Sequence, residues 1–201
     1  MMIDQHLQAL KDAFEQWAPL SELQWAMLSS IFKVRRADAK ADVALPGDTE
    51  HELIFVGEGL LRFYFLAADG KESNKAFIAE NEFAGPLASA SLGLPLYYGI
   101  QAIEDTTMLY ANFKDFTALY DEDFVFERLG RKLAELLLIR KELRTRSLLE
   151  KSAGERYSEF LEKHPDLVDR VPQYHLATYL GVTEVSLSRL KNARTKEAAI
   201  Q

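Results

Sequence analysis

Twenty-one residues near the C-terminus, VPQYHLATYLGVTEVSLSRLK at 171–191, constrain this chain more than any other stretch. They read as two short helices joined by a tight turn. Pro172 suits a first helical turn, where its missing N–H is no loss. Leu176, Ala177 and Leu180 follow at helical spacing, and Gly181 can leave the helix through a left-handed conformation at little cost. Thr183 is placed to cap the second helix with its hydroxyl, and Leu187 and Leu190 give that helix a buried side. The small Ala177, four residues before Gly181, lets the two helices cross closely. This is the sequence form of a helix-turn-helix, although an αα-hairpin of any purpose shares the pattern. The remaining positions of the second helix distinguish the two. Ser186, Ser188, Arg189 and Lys191 are short hydroxyls and cations that suit base edges and phosphates.

The rest of the chain is ordinary in bulk and divided in charge. Its 201 residues, 48% hydrophobic and 27% charged, allow one large domain or two modest ones with a real core. The absence of cysteine excludes disulfides, iron–sulfur clusters and thiolate metal sites. No apolar run approaches a membrane span, and the amphipathic, acid-bearing MMIDQHLQALKDAF is no signal peptide, so a cytoplasmic protein away from the membrane is expected. The net charge of −7 conceals a split. Residues 1–127 hold 9 Lys and Arg against 21 Asp and Glu, net −12, and residues 128–201 hold 15 against 10, net +5. A polyanion would therefore be held by the back of the chain, unless the clustering is chance on a solvated helix.

Along the chain, residues 4–18 and 21–32 predict two helices, with Pro19 at the break and Ser21 as the second N-cap. Short apolar runs then alternate with turn signals: 43–45, 53–56, 60–66, 75–78, 100–103 and 108–111. Asp69-Gly70 is a hairpin turn by composition, and Leu61-Arg62-Phe63-Tyr64-Phe65 has the aromatic content of a strand. Many short strands at this spacing predict a sandwich or small barrel. Residues 113–120 read as a short helix. Asp121-Glu122-Asp123 then opens a long one, acids favouring a first turn through the helix dipole. Phe126, Leu129, Leu133, Leu136 and Leu143 follow 3–4 spacing, with Leu137 and Ile139 widening the apolar surface and Arg140 within it. Apolar surface this wide is expected to be buried twice, against the chain's own barrel and against the partner in a symmetric dimer; the alternative is the core helix of a monomer. Ser152-x-x-Glu155 is a capping box for a further helix that ends before Pro165.

The order of parts resembles the Crp/Fnr superfamily of bacterial transcription regulators. Phe55-Val56-Gly57-Glu58-Gly59-Leu60-Leu61-Arg62 is similar to that family's Gly-x-Gly turn in the barrel. Glu80-Asn81-Glu82-Phe83-Ala84-Gly85-Pro86-Leu87 is similar to its cyclic-nucleotide cassette, and Ala102-Ile103-Glu104-Asp105-Thr106 to the strand and turn that follow. The resemblance implies an α+β chain in three parts. A cyclic-nucleotide-binding-like β-barrel (jelly-roll) sensor occupies 1–120, a dimerisation helix 121–148, and a helix-turn-helix DNA-binding domain 149–201. Its partners would be double-stranded DNA, a second copy of itself, an unidentified small-molecule effector and, further, RNA polymerase.

The cassette departs from the nucleotide-binding form. The place of the ribose-binding glutamate falls at Gly85 or Pro86, and Pro86 also removes an N–H donor. The place of the phosphate-binding arginine falls near Leu96. A buried phosphate without a countercharge is too costly to hold, so cyclic AMP is not the expected effector. An open pocket would be apolar and aromatic, walled by Phe83, Gly85, Pro86, Leu87, Leu96, Tyr97 and Tyr98; simple filling of the barrel accounts for the same residues.

At the DNA end the resemblance implies Thr183 as N-cap and Glu184, Val185, Ser186 and Arg189 toward the major groove, with Ser188 beside them. Gln173, Lys191 and Arg194 would serve phosphates. Glutamate can accept from cytosine N4, and arginine can donate to guanine O6 and N7. Val185 stands where relatives often carry a polar reader. About ten residues follow Lys191 in the sequence, so no β-hairpin wing is expected. The four histidines, His6, His51, His164 and His175, are scattered, and no catalytic-triad or phosphate-loop motif is present. An enzyme, a metal and a bound cofactor are accordingly not expected. The alternative to a regulator is a dimeric small-molecule sensor that acts on a protein partner without reading DNA.

Overall fold

The computed structural model describes residues 2–198, and the side chains of 3–193. It is α+β, with two four-stranded sheets, a long helix and C-terminal helices. The chain forms two compact units, 1–63 with 77–139, and 64–76 with 140–201.

The first unit opens with α1 (Met2–Glu15) and α2 (Glu22–Ser30). Ser21 caps α2 through a reciprocal box with Gln24. The strands are β1 (Lys33–Ala37), β2 (Asp42–Ala44), β3 (Glu52–Glu58), β4 (Leu61–Leu66), β5 (Glu72–Ile78), β6 (Phe83–Ala84), β7 (Gly99–Ala102) and β8 (Thr106–Asn112). One sheet runs β1-β8-β3-β6 and the other β2-β7-β4-β5, a jelly-roll-like sandwich. Alternation on β3 sends Leu53 and Phe55 outward, into a cluster with Phe14, Phe83, Leu109, Phe116 and Phe126. Phe14 lies 4.8 Å from Phe83 and 6.2 Å from Phe116 between ring centres. The strands thus bury one face against helices, and Ile54, Val56 and Met108 fill the other.

Six predicted runs are strands, but two strands had no run. β1, Lys33-Val34-Arg35-Arg36-Ala37, is a charged edge strand, and β6 is two residues long. A short helix α3 (Leu87–Leu92) also follows the cassette, and α4 (Phe113–Ala118) passes into a 3-10 turn at Leu119–Asp121. The acids 121–123 precede the long helix rather than opening it. That helix, α5 (Phe124–Glu150), starts after Asp123, whose carboxylate accepts from the Val125 N–H at 2.9 Å.

The second unit holds residues 64–76, from β4 and β5, and the C-terminal part of α5, then α6 (Ala153–Lys163), a 3-10 turn at Pro165–Leu167, α7 (Gln173–Leu180) and α8 (Glu184–Ala198). Ser152 and Glu155 form the capping box of α6. Glu159 ties α5 to α6, accepting from Ser147 Oγ and from the Lys163 ammonium, both at 2.7 Å, with Lys151 at 3.1 Å. Lys163 first, helped by Ser147 and Lys151 against the effect of burial, holds the Glu159 carboxyl down at about 2. A carboxylate stabilised in the fold contributes above its unfolded pKa, near 4.3, and that contribution disappears as pH falls toward 2. Glu159→Gln is therefore expected to be less stable than the parent at pH 6, with the gap closing by pH 2. Chemical unfolding across that range reads the difference, and a gap independent of pH would contradict this role.

Candidate nucleic-acid interface

The α7–α8 hairpin is built as its local chemistry requires. Pro172, at φ −54° and ψ 141°, is the residue before α7 rather than within its first turn, one place earlier than expected. Gly181 closes α7 at φ 69°, and its N–H and that of Val182 satisfy the last carbonyls. Thr183 caps α8, accepting from the Ser186 N–H at 3.2 Å. Leu176, Ala177, Leu180 and Leu187 are buried and Leu190 is half-buried.

Two arginines fix this hairpin by its carbonyl end. Arg144, on α5, donates to the Tyr179 carbonyl and lies 3.9 Å over the Tyr179 ring. Arg156, on α6, donates to the Leu180 carbonyl at 2.9 Å and to the Lys151 carbonyl at 2.5 Å. Cations at a helix C-terminus also oppose its dipole favourably. On the other side of α7, the buried Asn74 of β5 donates to the His175 carbonyl at 3.0 Å and to Thr178 Oγ1 at 2.7 Å, and lies 3.2 Å from the His175 ring nitrogen. Arg144, Arg156 and Asn74 were not singled out by sequence. Each bonds a residue at least 24 positions away, and only the fold brings the pair together.

The expected DNA-facing residues fall on this scaffold as follows. Gln173, Thr183, Glu184, Val185, Ser188 and Arg189 are exposed, Val185 at 61%. Ser186 is half-buried and its hydroxyl lies 2.9 Å from that of Thr183, within the cap. Lys191 is half-buried, and the side chain of Arg194, on α8, lies outside those described.

The expected dimer residues divide along α5. Phe126, Leu129 and Leu133 are buried in their own unit's core, and Leu136 and Leu137 pack against it. Arg140 is half-buried. Leu143 is 49% exposed, and its neighbours Leu138 and Ile139, the former not singled out by sequence, are more exposed still. A 3–4 repeat marks an apolar face without saying whose core it enters.

The residues expected around an effector do not form one enclosure. Phe83 and Leu87 belong to the outer core beneath α1, with Trp17 5.2 Å from Phe83. Gly85 is half-buried beside Leu53, Tyr97 is exposed, and Tyr98 is buried against Phe63 at 5.4 Å. Burial, then the adjacent Tyr97, raises the Tyr98 hydroxyl above its ordinary range. Pro86 and Leu96 both line a cavity of about 690 Å³ whose other lining comes from β1, β2, β3, β7 and the turns beside them. Among the described residues no three His, Cys, Asp or Glu side chains are grouped to hold a metal ion, and no helix is long and apolar enough to cross a membrane.

No family model matches the chain, and no curated protein matches its sequence. Solved structures do match its fold. FixK2 from Bradyrhizobium japonicum superposes with a TM-score of 0.72 at 18% identity, covering 84% of this chain and 86% of that one. A Crp/Fnr-family transcriptional regulator from Eubacterium rectale gives 0.70 at 17% identity over 92% and 88%. A variant of CooA from Carboxydothermus hydrogenoformans gives 0.67 at 25% identity over 89% and 82%. From its paired sheets through the long helix to the helix-turn-helix, this chain has the fold of the Crp/Fnr-type transcription regulators.

Proposed function

We propose that the protein is a cytoplasmic, homodimeric transcription regulator that reads a roughly palindromic DNA site through α8 and answers to a small molecule bound in its barrel. The observation that carries this is the exposed first turns of α8, where Glu184, Val185, Ser188 and Arg189 project from a hairpin held by Arg144, Arg156 and Asn74. Such a scaffold presents side chains at a fixed angle, as base reading demands. Arg189 suits guanine O6 and N7, Glu184 suits cytosine N4, and the exposed Val185 suits the methyl group of thymine. Gln173, Lys191 and Arg194 are assigned to phosphates, where they position the protein without specifying sequence. The seam of the dimer is assigned to Leu138, Ile139 and Leu143, the exposed apolar residues in the middle of α5; Phe124, Leu148 and Leu149, also exposed, lie toward its ends.

Selection from a random duplex pool, followed by competition at fixed salt, tests the reading. A selected duplex is expected to outcompete scrambled DNA by about 10³-fold or more, as specific binders do. Equal competition by both at every concentration would remove the regulator reading in favour of a sensor with a protein partner.

A further inference from the structure

The cavity of about 690 Å³ lies wholly within the first unit and is the size of small-molecule sites. Its floor is apolar, formed by Ile54 of β3, Ile100 of β7, Leu96 and Pro86. Its wall carries a fixed ion pair. The Arg35 guanidinium lies on the Glu52 carboxylate through two hydrogen bonds, at 2.8 and 2.7 Å, and 3.9 Å over the Tyr110 ring. That pair leaves Arg35 with its charge already answered, so it offers little to an incoming anion. Around it stand Asp38, Asp42, Asp48 and Glu50. Counting Arg35 and Arg36 against these four and Glu52, the lining has a net charge of −3.

We infer that this cavity is the effector site and that its ligand is a small organic cation, an amine with an apolar body. The apolar body would cover Ile54, Leu96 and Ile100, and the ammonium would sit toward the acidic rim, where the net negative charge, with Arg36 counted, concentrates cations and repels phosphates and carboxylates. The inference deepens the reading of the barrel as a sensor and rests on it.

Calorimetric titration of the DNA-free protein tests it, using 2-phenylethylamine, 2-phenylethanol and 3-phenylpropionate as matched probes of charge. The amine is expected to bind, the alcohol more weakly, and the carboxylate not at all. Raising salt should weaken the amine. The double variant Asp38→Asn, Glu50→Gln changes two exposed side chains, so folding is not at stake. It should weaken the amine about tenfold, the sum of two modest surface attractions, and leave the alcohol unchanged. No binding of the amine, equal binding of amine and carboxylate, or an amine affinity indifferent to the double variant would each overturn the assignment. Because no DNA is present, such a failure leaves sequence-specific DNA binding untouched. Failure of DNA selection with the amine preference intact would instead remove the regulator and keep the site.

Discussion

Gly59→Ala is expected to lower folding stability by about 3–4 kcal/mol, a combination of backbone strain and steric overlap. Gly59 turns β3 into β4 at φ +97°, a conformation that residues with a Cβ rarely adopt. A Cβ there would stand 2.6 Å from the Asp105 carbonyl oxygen and 2.7 Å from the Thr106 Cα, both backbone atoms that cannot swing aside. The same turn is bonded on every side. The Gly59 N–H donates to Glu80 at 2.9 Å and the Leu60 N–H to the Thr106 hydroxyl at 3.1 Å, so relief of the clash would break buried hydrogen bonds. In a chain of this length the loss corresponds to about 10 °C in Tm. Gly70→Ala is the control. Its φ is also positive, at +82°, but nothing lies within 4 Å of the added methyl, so only the backbone cost of about 1–2 kcal/mol remains. Thermal unfolding of both variants decides the matter: equal shifts would mean that the Asp105–Thr106 backbone yields and that the turn is not rigid.

Arg189→Ala is expected to reduce discrimination between the selected DNA site and its variants by about 10- to 100-fold at one position of each half-site, the range of a bidentate arginine–guanine contact. Arg189 is exposed on α8 one turn beyond Val185, so the substitution leaves the hairpin intact. Lys191→Ala, by contrast, should weaken binding to all sequences alike and reduce the slope of log K against log salt by about 1. Binding measured on a panel of single-base variants separates the two. An Arg189→Ala protein that loses affinity uniformly, with its base preferences unchanged, would reassign Arg189 to the phosphates.

How much of this was legible in the sequence follows from how local the chemistry is. Ser21 as an N-cap, Ser152 with Glu155, and Gly181 with Thr183 each act within one helical turn, so the order of residues alone reveals them. β1 was not legible in this way. Its Arg35 finds its partner in Glu52 on another strand, and an edge strand stabilised by that pair carries no apolar run. Reading Asp121–Asp123 as a first helical turn placed the start of α5 early, because acids beside a helix N-terminus suit the cap as well as the turn. Phe126, Leu129 and Leu133 show the other limit. Periodicity identified a buried face, but the aromatic cluster around Phe14 is what makes it intramolecular. The cavity was hidden for the same reason, since its floor and rim come from four strands and the turns beside them, spread over residues 35–100. Sequence pointed instead to the aromatic residues beside Leu96, of which Tyr98 turns to Phe63 and Tyr97 to solvent.

The proposed regulator works only if two copies of α8 enter successive major grooves on one face of a duplex. Chemical footprinting of the protein on its selected site, with the mass of the complex measured in parallel, tests this most directly. Two chains per duplex are expected, with two protected half-sites whose centres lie about 10 base pairs apart, the repeat of B-form DNA. One chain per duplex with a single protected segment, or protection spread evenly along any sequence, would contradict it.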